Sequence, residues 1–157
     1  MRKPRISRRW PLVCTVLTVL AACGSEDPNA ELREFIERTE VAAEERDTGH
    51  FRALVSDRYM DVRGNDRDRL IDIIRVYFLT HQSLEVVTRI ESIVLSGADV
   101  AEVSLLAGLL GRRAGASLLG GLDGRLYDIE LELTREGGDW QIIGARWERS
   151  QASWDGE

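Results

Sequence analysis

The sequence predicts an α+β domain in which three N-terminal helices pack on a curved antiparallel sheet. Apolar residues recur at helical spacing as far as position 81. Beyond it β-branched and alternating runs take over, and glycine-bearing turns divide those runs into strands.

A segment of different character precedes the domain. Arg2, Lys3, Arg5, Arg8 and Arg9 form a charged start, and residues 12–22 are apolar or small without a single charge. This is the layout of a secretory signal, and the run is well short of the roughly 20 apolar residues that a membrane-spanning helix needs. It ends in Leu20-Ala21-Ala22-Cys23, which resembles the bacterial lipobox. That resemblance implies a signal peptide at 1–22, cleavage after Ala22 and fatty acyl chains such as palmitate on Cys23. Several chains, at about 0.8 kcal/mol per buried methylene, anchor far more firmly than one. The expected address is the cell envelope, with the lipoprotein facing the periplasm. Gly24 stands where an inner-membrane retention signal has aspartate, which by resemblance implies the outer membrane. Ser7-Arg8-Arg9 resembles the twin-arginine export motif, but Pro11 occupies the place of its aromatic, so the export route stays open.

Cleavage leaves 16 basic against 27 acidic residues, a net charge of −11 where the whole chain has −6. Such a length supports one core. The acidity argues against nucleic acid, which requires a basic stripe to release phosphate counterions, and against polybasic docking on anionic lipid. The expected partners are the membrane, through the lipid on Cys23, and either an unidentified protein or a small apolar ligand. Cys14 leaves with the signal and Cys23 is acylated, so no thiol remains for a disulfide, a nucleophile or a metal. The only lysine is Lys3, which excludes Schiff-base chemistry by a mature lysine. No cofactor and no metal site are expected. His50 and His81 are far apart in sequence, and Asp66-Arg67-Asp68 lacks the glycine and terminal glutamate of a calcium loop.

The tether is expected at 23–27, the domain at 28–149 and a loose tail at 150–157. Asp27 and Pro28 suit an N-cap and first helical position. Leu32, Phe35, Ile36, Thr39, Val41 and Ala43 follow at roughly helical spacing, until Asp47-Thr48-Gly49 ends the helix. A short helix at 50–57 turns Phe51, Leu54 and Val55 inward. A short strand at 59–61 and a turn at 63–65 lead to Asp66, the cap of a third helix bearing Leu70, Ile73, Ile74, Tyr77 and Phe78. Strands are expected at 84–95 and 100–106, the second with Ala101, Val103 and Leu105 on one face. In the third, Tyr127, Ile129, Leu131 and Leu133 alternate with Asp128, Glu130 and Glu132, leaving one face wet. Gly137-Gly138 makes a hairpin. The last strand, 139–149, is expected to place Ile143, Ala145 and Trp147 on one face and Trp140 and Ile142 on the other.

Four segments together resemble the nuclear transport factor 2-like superfamily, whose SnoaL/ketosteroid isomerase-type members form a cone. They are the break Asp47-Thr48-Gly49-His50, the D-R-Y-M-D stretch at 57–61, A-D-V-A-E-V-S-L at 98–105 and G-D-W-Q-I-I-G-A-R-W at 138–147. The resemblance covers about 30–149. A cystatin-like helix-on-sheet fold is the alternative, although three helices before the sheet fit it poorly. The superfamily holds isomerases, dehydratases and cyclases as well as domains that only bind, so fold does not name the activity. Its ketosteroid isomerase-type members use a tyrosine on the first helix, and residues 28–46 contain none.

Tyr59 and Asp61 enter the expected cone together and form an acid–base pair on one reading, a packed tyrosine and a turn-capping aspartate on the other. Tyr77 is a pocket candidate. His81 and His50 sit at helix ends where capping is the simpler role, and Asp99 is most simply a turn residue. Residues 108–124 hold six glycines and five leucines without a P-loop lysine. They read either as a flap offering Leu109, Leu110, Leu118, Leu119 and Leu122 to a ligand, or as a long hairpin whose leucines return to the core. The expected function is a non-catalytic ligand-binding or protein-interaction domain, with a small isomerase or dehydratase as the alternative.

Overall fold

The computed structural model describes residue 27, residues 29–113 and residues 122–151. The signal segment, Cys23, Pro28, Leu118, Leu119 and residues 152–157 lie outside them. Three helices, α1 (Ala30–Glu44), α2 (Thr48–Ala53) and α3 (Arg67–Thr80), precede four strands, β1 (His81–Leu95), β2 (Val100–Arg113), β3 (Leu122–Glu136) and β4 (Asp139–Arg149). The strands form one antiparallel meander in the order β1-β2-β3-β4. The expected α+β architecture, helices on a curved antiparallel sheet, is the one observed.

Helix α1 starts at Ala30, later than the Asp27-Pro28 signal implied. Asn29 takes the N-cap position at helical dihedrals without a side-chain cap, while the Asp27 carboxylate accepts the Asn29 N–H at 3.0 Å. Leu32, Phe35 and Ile36 bury its inner face, each contributing about 1.5–3 kcal/mol. Arg46, in the left-handed region at φ 55°, ends the helix, its N–H donating to the Ala43 carbonyl. Asp47 then caps α2 by accepting the Gly49 and His50 N–H groups, both at 2.9 Å. That cap starts α2 at Thr48, and the helix ends at Ala53 rather than reaching 57. The chain beyond it turns along the edge of β4, where the Ser56 and Met60 N–H groups donate to the carbonyls of Ile142 and Ile143. No strand forms at 59–61; Met60 makes one isolated bridge with Asp66.

Strand β1 follows α3 without a loop, starting at His81 rather than 84. Strands β2 and β3 run further into the glycine-rich segment than the alternation suggested, pairing Leu109 with Arg125 and Leu110 with Gly124. The four-strand sheet is bent by irregularities in β1 and β4. Pairing shifts by one residue between Ile90 and Ser92 on β1, and opposite Glu132 and Leu133 on β4. An extra residue in one strand bends it and re-aims the side chains that follow. On β4 the shift falls at Ile143, so Trp140 and Ile142 share the inner face with Ala145 and Trp147. This corrects the expectation from strict alternation that they lie on opposite faces. On β3 the expected pattern holds: Leu131 and Leu133 are buried, and Asp128, Glu130 and Glu132 are exposed.

Candidate functional site

The narrow end of the molecule is solid. Leu32 and Phe35 of α1 meet Leu54, Val55, Tyr59, Leu133 and Trp140 there, all buried. Glu31 at the start of α1 is held by the Arg135 guanidinium and the Trp140 indole N–H, and Arg135 lies over the Trp140 ring at 4.6 Å. Toward the other end of α1 the helices and the bent sheet diverge around a cavity of about 370 Å³.

Ala43, Ala107 and Ala145 line it from α1, β2 and β4. Ile36, Ile74, Phe78, Leu105, Leu109 and Trp147 complete much of the wall. Along β3 the lining steps through Leu131, Ile129, Tyr127 and Arg125, a distance of about 20 Å at roughly 3.4 Å per residue. Among the described residues the charged ones lining the cavity are Glu40 and Arg125. The Glu40 carboxylate accepts the Thr88 N–H at 2.8 Å, and one turn later Glu44 accepts the Val86 N–H at 3.0 Å. Both thereby satisfy donors on the outer edge of β1, which would otherwise stand open to another strand.

Of the residues singled out from sequence, Tyr77 and Leu109 line this cavity. Leu110 is exposed on the opposite face of β2, so the two leucines are strand residues facing apart. Tyr59 and Asp61 lie outside the lining. Tyr59 is buried and its hydroxyl has no partner among the described residues. Burial, with the Asp61 charge adding to it, pushes its pKa far up. Asp61 accepts the Arg63 and Asn65 N–H groups, both at 2.8 Å, and the Asn65 side-chain amide at 2.7 Å. Burial raises its pKa, but these hydrogen bonds and the Arg63 charge outweigh it and hold the carboxyl below the usual range.

His81 is buried at the α3–β1 junction, stacked on Tyr77 with ring centres 4.2 Å apart. Its Nδ1 lies 2.9 Å from the Tyr77 carbonyl, and Nε2 has no partner among the described residues. His50 lies in α2. Asp99 stays in the β1–β2 turn, its carbonyl accepting the Arg135 N–H at 2.8 Å. Among the described residues no three His, Cys, Asp or Glu side chains gather as a metal site, and no helix is long and apolar enough to cross a membrane. Sequence reasoning did not single out Glu40, Arg125, Tyr127 and Trp147 as lining. Continuing the alternation of β3 back across Leu126 was the signal for Arg125.

No protein-family model matches the chain, and no curated protein matches it significantly. Solved structures do. A candidate dehydratase of the nuclear transport factor 2-like family from Streptomyces avermitilis superposes with a TM-score of 0.69 at 13% identity, covering 80% of this chain and 97% of its own. A ketosteroid isomerase-like protein from Erwinia carotovora atroseptica gives 0.63 at 16% identity, over 81% and 99%. A nuclear transport factor 2-like superfamily protein from Salmonella enterica serovar Typhimurium gives 0.65 at 12%, over 85% and 99%. At such identities the likeness is one of backbone, and the domain therefore has the nuclear transport factor 2-like fold.

Proposed function

We propose that the chain is a lipoprotein held on the periplasmic face of the outer membrane by acyl chains on Cys23, and that its cone binds a small apolar ligand without transforming it. The supporting observation is the cavity wall, built among the described residues mainly from aliphatic and aromatic side chains, with the Glu40 carboxylate already accepting a backbone N–H. Pockets of a few hundred Å³ with few polar groups are the common form of small-molecule sites. About four residues separate Cys23 from the described domain, at most roughly 14 Å of chain.

A small isomerase or dehydratase is the second reading. The names of two structural neighbours, a candidate dehydratase and a ketosteroid isomerase-like protein, favour it. Acid–base chemistry requires proton-transfer groups within reach of one bound substrate, and Tyr59 and Asp61 stand outside the cavity lining.

Mass spectrometry of the protein extracted from membranes tests both parts. A mature mass carrying acyl chains, lost on Cys23→Ser, and a co-purifying apolar molecule are expected. An unmodified Cys23 removes the anchor, and turnover of a bound substrate replaces the binding reading with the enzymatic one.

A further inference from the structure

Glu40 holds the edge of β1 with one oxygen only. Its Oε1 accepts the Thr88 N–H at 2.8 Å. A carboxylate offers about four lone-pair sites, and Oε2 has no partner among the described residues. Thr88 pairs with Ala107 on β2, and Ala107 pairs in turn with Tyr127 on β3. All four residues line the cavity. The row therefore runs from a carboxylate, over the short side chain of Ala107, to an aromatic residue, its ends two strand spacings or roughly 9.5 Å apart. Trp147 stands one pair further along on β4, opposite Ile129, and adds a second ring to that side of the wall.

Resting on the binding reading above, we infer that the ligand is a cation with a hydrocarbon tail, of the alkylammonium class. Its head lies between the Glu40 carboxylate and the Tyr127 ring, and its tail runs along Ile129 and Leu131. An ammonium is attracted both by a carboxylate and by the negative face of an aromatic ring, more strongly where water is excluded. The rest of the wall takes the tail: at about 30 Å³ for a water-sized group, 370 Å³ accommodates roughly a dozen methylene-sized units. The acidic balance of the chain, a net −6 over the whole sequence, draws cations toward the protein and repels anions. Arg125, beside Leu109 in the next row, is itself engaged, and the tail runs from Tyr127 away from it.

Calorimetric titration of the purified full chain with decyltrimethylammonium, decan-1-ol and decanoate, each below its aggregation concentration, separates head from tail. The expected order is the ammonium about tenfold tighter than the alcohol, at one equivalent per chain, with decanoate weakest. Glu40→Gln keeps an oxygen for the Thr88 N–H and removes the charge. It should bring the ammonium to the level of the alcohol while leaving alcohol binding unchanged, which also shows that the variant is folded. Tyr127→Phe should keep the preference, and Tyr127→Leu should lose part of it. Equal binding of the three probes, or a preference that persists in Glu40→Gln, overturns the cation assignment and leaves an apolar-ligand site standing. Ammonium binding that survives in Ala107→Phe is adsorption on the acidic surface and overturns the assignment as well. No binding by any probe overturns the ligand-binding reading itself.

Discussion

The imidazole of His81 lies directly on Gly111: a β-carbon at Gly111 would stand 2.6 Å from His81 Cδ2. The ring has little freedom to yield, being stacked on Tyr77 and placed against the Tyr77 carbonyl. Gly111→Ala is therefore expected to destabilise the domain by about 1–3 kcal/mol through overpacking. His81→Ala should relieve most of that cost, giving a coupling above about 0.5 kcal/mol in a double-mutant cycle measured by urea unfolding. Additive effects would show that the contact is not maintained in solution.

Ala101 and Ala107 are both buried on the inner face of β2, but only Ala107 borders the cavity. Ala107→Phe has space to occupy, so its stability should stay within about 1 kcal/mol of the parent while ligand binding in the cone is lost. The same exchange at Ala101, in the filled narrow end, should cost about 1–3 kcal/mol or more. Paired urea melts and a titration with an apolar probe such as decan-1-ol measure both.

Asp61 organises the turn after Tyr59 through three accepted hydrogen bonds. Its carboxyl is held below the usual carboxylate pKa, so the folded chain binds that proton less readily than the unfolded one. Its contribution is full above about pH 4, the unfolded value, and is lost as the pH falls through the lower folded value. Asp61→Ala should cost about 1–3 kcal/mol at pH 7 and show a smaller further loss than the parent on acidification. Urea midpoints from pH 7 to pH 3 test this; parallel curves for the two proteins would contradict it.

Asp66 and Asn29 occupy equivalent positions before α3 and α1 but do different things. Asp66 accepts the Arg69 N–H at 2.8 Å, and Asn29 makes no side-chain cap. Asp66→Ala should therefore cost about 1 kcal/mol and Asn29→Ala only a few tenths, read as shifts in the urea midpoint at constant slope.

Much of this molecule was legible from the chain alone, because local patterns were enough. The helical spacing around Phe35 and Ile74, the alternation from Tyr127 to Leu133 and the glycine pair at 137–138 state secondary structure directly. Their order leads to helices packed on a meander, since each element has one apolar face to bury. Tertiary structure decided the cone. Strict period-two reading divides Trp140 and Ile142 from Ala145 and Trp147, whereas the extra residue at Ile143 unites them. A bulge follows from how a strand must bend around α1, which no local pattern records. It also decided that Tyr59 packs in the core and Asp61 ties an exposed turn, while Arg125 and Trp147, from the beginning of β3 and near the end of β4, line the cavity wall. Sequence states which residues have an apolar side to hide. Where that side stays unfilled depends on how the helices and the sheet diverge in space, and only the folded chain brings those distances together.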